Sequence, residues 1–176
     1  MVLGGARSGK SAYAERLAAD SGRPVRYVAT AASPDDTGTP ADAEFAERIA
    51  IHRARRPAHW QTVEAGVDLA STIRDAQHEC VIVDCLTLWL TRLFYPPGMT
   101  GPVDDWMAHI EAFEAALGTT EARVIVVSNE IGLGVVPMGA ETRRFVDELG
   151  RLNQRIAARC EKVIMMVAGI PMQVKP

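Results

Sequence analysis

Apolar positions along the chain fall into short runs rich in valine and isoleucine, separated by longer stretches in which they recur every three or four residues. Short apolar runs between turn signals are the pattern of buried strands, and the longer recurrence is that of helices with one face on a core. The runs predict strands at Met1 to Leu3, Val25 to Ala29, Trp60 to Val63, Val81 to Asp84, Val124 to Ser128 and Val163 to Val167. The periodic stretches predict helices at about 11–20, 42–55, 67–77, 86–93, 103–117 and 140–159. Alternation of the two types implies an α/β fold, a mostly parallel sheet flanked by crossover helices. Only three residues precede the first glycines, which is short for a strand and predicts a native start upstream. Segments 31–41 (AASPDDTGTPA) and 95–102 (YPPGMTGP) are dense in proline, glycine and small polar residues and predict surface loops.

Length and composition narrow this to a single globular domain over 1–176, since 176 residues with 48% hydrophobic and 23% charged residues suffice for one core. No internal repeat or low-complexity tract interrupts it. The net charge is −3 and the lysines and arginines are dispersed, which argues against nucleic acid as a partner. Cys80, Cys85 and Cys160 form neither CxxC pairs nor an even disulfide set, pointing to a reducing cytoplasm. No apolar stretch reaches bilayer length and no charged leader precedes one, so the expectation is a soluble cytoplasmic protein with no membrane partner.

Candidate chemistry begins at Gly4-Gly5-Ala6-Arg7-Ser8-Gly9-Lys10-Ser11, which meets the P-loop pattern G-x-x-x-x-G-K-[ST] between an apolar strand and an amphipathic helix. Glycines let the backbone wrap so that successive amide hydrogens face phosphate oxygens, and the following helix adds its positive end. Lys10 would reach the β and γ phosphates of ATP or GTP, and Ser11 would offer its hydroxyl to Mg2+. The alternative is a glycine-rich turn without a ligand; the match at every position and the flanking context favour the nucleotide. Asp84 ends the run Val81-Ile82-Val83 where a Walker B carboxylate would approach the metal. It also precedes a helical stretch and reads as an N-cap, and both roles are compatible.

The predicted helix 42–55 ends in His52, Arg53, Arg55 and Arg56, a cluster suited to polyphosphate charge. From the residues alone, His52 is either a nucleophile toward the α-phosphorus of a nucleotide or a surface histidine stabilised by the helix dipole. His59 ranks second for the nucleophile's role, because it follows Pro57 and enters the third predicted strand. His78 and His109 read as solvated surface residues. Trp89, Leu93, Phe94 and Tyr95 read as core, as a subunit contact or as a cradle for a large substrate.

Beyond the P-loop, five further segments occur in order along nearly the whole chain: Tyr27-Val28-Ala29-Thr30, Arg48-Ile49-Ala50-Ile51-His52-Arg53-Ala54-Arg55-Arg56-Pro57, Val83-Asp84-Cys85-Leu86-Thr87-Leu88-Trp89-Leu90, Ser128-Asn129-Glu130-Ile131-Gly132-Leu133-Gly134-Val135-Val136-Pro137 and Leu152-Asn153-Gln154. With them the chain closely resembles the bifunctional cobinamide kinase and cobinamide-phosphate guanylyltransferase family of adenosylcobalamin synthesis. The resemblance implies a P-loop NTPase fold of RecA-like architecture and phosphorylation of the hydroxyl of adenosylcobinamide by ATP or GTP. Transfer of GMP from GTP to adenosylcobinamide phosphate would follow, with release of pyrophosphate. It puts the guanylylated histidine at His52 and nucleotide contacts at Thr30, Ala31, Ala32, Arg53, Ala54, Arg55, Arg56, Glu64 and Asp84. It also implies a homo-oligomer, specifically a trimer.

Glu64 ends the third predicted strand, at the edge where open α/β sheets bind ligands. Its carboxylate can accept two hydrogen bonds from the guanine N1 and N2 edge, which adenine cannot supply; otherwise it is an exposed acid in a turn. Glu130 lies in the glycine-rich segment Asn129 to Pro137 and reads as a base for the cobinamide hydroxyl, a partner behind the metal, or part of an ordinary loop. Two rival functions remain: a simple P-loop small-molecule kinase whose basic helix is a lid, and a GTP-dependent switch that binds a partner.

Overall fold

Successive residues of a strand face opposite sides of its sheet, and the unbroken apolar runs of this chain are buried on both sides. The computed structural model describes residues 1–31, 47, 50–51, 53–54, 56–96 and 98–176. In chain order the elements are β1 (Val2–Gly4), α1 (Lys10–Ala19), β2 (Val25–Ala29), β3 (Gln61–Glu64), α2 (Leu69–Arg74), β4 (Cys80–Asp84), α3 (Leu86–Phe94), α4 (Trp106–Thr119), β5 (Arg123–Asn129), α5 (Ala140–Arg159), β6 (Val163–Val167) and β7 (Ile170–Lys175). Among the described residues seven strands form one sheet in the order β3-β2-β4-β5-β1-β6-β7. Strands β1 to β6 pair in parallel and β7 runs antiparallel to β6, the mostly parallel, helix-flanked sheet of a P-loop NTPase fold.

Alternation along each strand sorts its side chains between two cores. Val28, Val81, Val83 and Val126 pack with Leu69, Ile73, Leu86, Trp89, Phe113, Leu149, Leu152 and Ile156 of α2 to α5. Their neighbours Tyr27, Cys80, Ile82, Ile125 and Val127 turn to the other face, where Ala14 and Ala18 of α1 join them. Trp89 donates its Nε1 hydrogen to the Val67 carbonyl at 2.8 Å and meets Phe113 edge-on with ring centroids 5.4 Å apart. Trp89, Leu93 and Phe94 are therefore core, and neither a subunit contact nor a substrate cradle; Tyr95 is the exposed member of that group.

Five predicted helices match α1 to α5 with shifted ends. The α2 helix starts late because Asp68 caps it, its Oδ1 accepting the Ser71 amide at 3.1 Å. The α4 helix starts at Trp106 because Val103 and Trp106 form a turn instead, the Val103 amide donating to the Leu93 carbonyl at 2.7 Å. Of the 42–55 segment, Glu47, Ala50, Ile51, Arg53 and Ala54 are helical; the remaining positions, and 32–41, lie outside the described residues.

The six-strand expectation is corrected by β7. Ala168 and Gly169 have φ of 50° and 81°, the two positive values of a two-residue hairpin turn whose twist suits antiparallel strands. Pro171 is tolerated because β7 is the outer strand. Lys175 anchors it, donating to the carbonyls of Ala157, Ala158 and Cys160 at 3.2, 3.2 and 2.6 Å, the C-terminal groups of α5 that have no helical partner. Among the described residues no helix is long and apolar enough to cross a membrane.

Candidate functional site

The interior strand β1, between β5 and β6, delivers its C-terminus to residues 5–9, which climb to the first turn of α1. Gly4 has no room for a side chain, since a Cβ there would lie 2.4 Å from Ser8 Oγ and 2.9 Å from the Met166 carbonyl. Gly9 has φ of 92° and is the N-cap of α1, with no side chain capping the helix. The first amides of α1 thus face the loop as donors for an anion. Hydrogen bonds brace the loop on both flanks, from the Glu130 amide to the Gly4 carbonyl at 3.1 Å and from the Gly169 amide to the Ser8 carbonyl at 3.0 Å. Lys10 folds back to donate from Nζ to the Gly5 carbonyl at 3.1 Å, while Ala6 and Arg7 are exposed at the rim. The hairpin turn that braces Ser8 is a feature sequence reasoning missed, since no element was predicted after Val167.

Two strands from β1, across β5, Asp84 ends β4 on the same edge. With neighbouring strands about 4.8 Å apart, its backbone lies roughly 10 Å from β1, within reach of a bound metal and phosphate chain. Asp84 Oδ2 accepts the Tyr27 hydroxyl at 2.6 Å. The Arg56 guanidinium lies over the Tyr27 ring with its carbon 3.6 Å from the centroid. Arginine, tyrosine and carboxylate thus link the basic end of the 47–56 stretch to the end of β4. Burial first, and the Asp84 carboxylate second, hold the Tyr27 hydroxyl well above the usual tyrosine range. It stays protonated and serves as a donor to Asp84.

Tyr27 makes a pH prediction. A folded-state pKa raised above the unfolded value near 10 gives stability that is complete below pH 10 and lost as pH rises. From this group alone, unfolding free energy should fall by about 1.4 kcal/mol per pH unit above pH 10. Urea melts from pH 9 to 11 should show this decline, and Tyr27→Phe should flatten it; an equal slope in both proteins would refute the assignment.

Thr30 is fully buried, and its hydroxyl donates to the Cys85 carbonyl and accepts the Cys85 amide, both at 2.7 Å. Both roles of that hydroxyl go to fastening the ends of β2 and β4. Cys85 is buried too; burial, then the Asp84 carboxylate, push its thiol up to about 11, so it is no thiolate nucleophile. Arg53 and Glu64, both expected at the nucleotide, meet each other in an exposed pair at 2.8 Å. Arg92 of α3 donates to the Ala65 carbonyl at 2.9 Å and approaches that of Ala31 at 3.5 Å, bracing the loops after β2 and β3. Ala54 is exposed on its helix. His52, Ala32 and Arg55 lie outside the described residues.

Among the other histidines, His59 is exposed in a turn ahead of β3 rather than half-buried in the strand, because the Trp60 amide closes that turn on the Pro57 carbonyl at 3.0 Å. His78 is exposed, 3.8 Å from Glu121, and His109 is half-buried on α4 rather than solvated. Sequence reasoning quoted Thr87 and Asn153 only as members of matching segments and gave neither a role. Thr87 Oγ1 accepts from both the backbone and the side-chain nitrogen of Asn129 at 3.0 Å, and Asn153 Nδ2 donates to the Asn129 carbonyl at 3.1 Å. They fix the end of β5 just before Glu130, whose Oε1 accepts the Gly132 amide at 2.7 Å.

Ser11 and Asp84 supply a hydroxyl and a carboxylate, hard oxygen donors of the kind Mg2+ takes alongside water and phosphate oxygens. Engagement of one Asp84 oxygen by Tyr27 leaves the carboxylate further acceptor capacity.

The model of the family described as "Cobinamide kinase / cobinamide phosphate guanyltransferase" matches residues 1–174. A Pseudomonas aeruginosa protein named "Bifunctional adenosylcobalamin biosynthesis protein CobP" is 51% identical over 180 residues, covering 99% of this chain and 96% of its own. Proteins named "Bifunctional adenosylcobalamin biosynthesis protein CobU" from Escherichia coli and Salmonella typhimurium are 38% and 36% identical over 186 residues, each covering 99% of this chain and 98% of its own.

Proposed function

The chain belongs to the cobinamide kinase / cobinamide phosphate guanyltransferase family, and from that premise we propose that one nucleotide site on it performs both reactions on adenosylcobinamide. In the first, the P-loop from Gly4 to Ser11 holds ATP or GTP and Lys10 lies along the β and γ phosphates as the γ-phosphoryl group passes to the acceptor hydroxyl. In the second, the His52 imidazole attacks the α-phosphorus of GTP. An N–P bond forms, the α–β anhydride breaks and pyrophosphate leaves. An oxygen of adenosylcobinamide phosphate then attacks the same phosphorus, the N–P bond breaks, and adenosylcobinamide-GDP departs with the imidazole restored. Mg2+ held by Ser11 and Asp84 would supply neutralisation of phosphate charge.

The observation that carries this reading beyond a plain kinase is the stack of Arg56 on the Tyr27 ring together with the hydrogen bond from the Tyr27 hydroxyl to Asp84. It ties the end of the segment bearing His52, four residues earlier, to the carboxyl edge where the P-loop and Asp84 meet the nucleotide. Arg53, Arg55 and Arg56 then offer charge to its phosphates, with Ala31, Ala32 and Ala54 as neighbours along the same segments. Glu64 selects guanine once its bond to Arg53 is exchanged for the base. The whole of 1–176 acts as one catalytic domain in the cytoplasm, as a homo-oligomer, by resemblance a trimer. Exposed Ile170, Met172 and Val174 on the outer strand β7 suit such self-association.

Incubation with α-labelled GTP and no acceptor tests the covalent step. Acid-labile, base-stable label on His52 is expected. Absence of label would leave the simple kinase, and nucleotide-dependent partner binding without turnover would leave the switch.

A further inference from the structure

We propose that the loop 131–138, seated on α5, is the surface on which the corrin macrocycle of the acceptor rests. The inference rests on the acceptor being adenosylcobinamide, as proposed above. A carrier is needed beside the phosphate cradle for a macrocycle much larger than its reacting hydroxyl arm. Of the group that sequence reasoning offered for this, Trp89, Leu93 and Phe94 lie in the core and Tyr95 alone is exposed. The loop offers instead a dense apolar exposure: Leu133 is 81% exposed, Val135 96%, Val136 73% and Met138 97%. Contiguous apolar exposure of this kind marks an interaction surface.

Four features make the occupant the corrinoid. The loop follows directly from Glu130, whose amide bonds the Gly4 carbonyl at 3.1 Å, so it is continuous with the P-loop. A hydroxyl arm can therefore point to the γ-phosphate while its ring lies on the loop. Both ends are tied, by the Gly132 amide on Glu130 Oε1 at 2.7 Å and by Arg143 Nη1 on the Pro137 and Met138 carbonyls at 2.9 and 2.5 Å, which holds the apolar side chains outward. Beneath lies a cavity of about 380 Å3, lined by Ile131, Val135, Val136 and Val146 with Arg143 and Asp147. It suits one edge of the ring, with apolar walls for its hydrocarbon and a donor and an acceptor for its peripheral amides. A second copy of the chain has a better partner elsewhere, the open apolar edge of β7, whereas residues 131–138 contain no strand to pair.

The test uses the full chain carrying Val135→Ser and Val136→Ser together, two exposed positions where substitution barely affects folding. In the phosphorylation assay the KM for adenosylcobinamide should rise about tenfold, equal to about 1.4 kcal/mol, with the KM for nucleotide, self-guanylylation by GTP alone and sedimentation all as in the unsubstituted protein. The pair Val135→Ile and Val136→Ile, which keeps the surface apolar, should restore the original KM. An unchanged KM in the serine variant overturns the proposal, as does a shift in sedimentation accompanying the loss, which would make the loop a contact between copies. If the unsubstituted protein itself neither phosphorylates adenosylcobinamide nor self-guanylylates, the proposed function has failed; if it does both and only the KM prediction fails, the error lies in this surface alone.

Discussion

Lys10→Ala should lower kcat/KM for adenosylcobinamide phosphorylation and for GMP transfer alike, each by about a hundred- to a thousandfold. The size is that of removing one preorganised charged donor from developing phosphate charge. Both reactions suffer because, in the proposed mechanism, both nucleotides sit on the same loop, braced between Glu130 and Gly169, and Lys10 is its only cation aside from Arg7 at the exposed rim. Loss of the hydrogen bond to the Gly5 carbonyl is minor, and alanine favours the first turn of α1, so the thermal midpoint should move little. Separate assays, one with γ-labelled donor and adenosylcobinamide and one with α-labelled GTP and adenosylcobinamide phosphate, check this. Loss of one activity with retention of the other would mean two phosphate sites.

The second large effect is selective. His52→Ala should depress GMP transfer by at least about a thousandfold, as removal of a covalent nucleophile does, while phosphorylation changes by no more than about threefold. Direct phosphoryl transfer to a hydroxyl needs the P-loop but no imidazole. Arg56, which stacks on Tyr27, remains to hold the segment against Asp84. Residual GMP transfer near the original rate would mean that the acceptor phosphate attacks GTP directly. Parallel loss of phosphorylation would mean that the segment serves as a lid.

What could be read from the chain followed the range of the forces involved. Runs such as Val81-Ile82-Val83 announce a strand buried on both faces because each residue is apolar whichever way it points. The P-loop was readable for a similar reason, since Gly4 and Gly9 answer to local demands, a missing Cβ and a positive φ. The outer strand β7 was not read, although Ile170, Met172 and Val174 alternate, because Gly169 and Pro171 are breakers anywhere but at a hairpin and a sheet edge. Tyr27 was read as part of a strand and of a matching segment, with no role of its own. Its partners Asp84 and Arg56 lie 57 and 29 residues away, and no local pattern foretells a contact across β2 and β4. Thr30 was expected at the nucleotide, yet its hydroxyl is committed to the Cys85 backbone.

One measurement tests most directly whether a single chain makes both bonds. The purified protein is given adenosylcobinamide, ATP and GTP, with one isotope of phosphorus at the α position of GTP and another at the γ positions of both nucleotides. The corrinoid product is then isolated. Both isotopes are expected in that product in equal amounts, the γ-derived phosphorus next to the cobinamide and the α-derived phosphorus next to guanosine. A corrinoid carrying γ-derived phosphorus alone, or GTP consumed with neither isotope on the corrinoid, would contradict it.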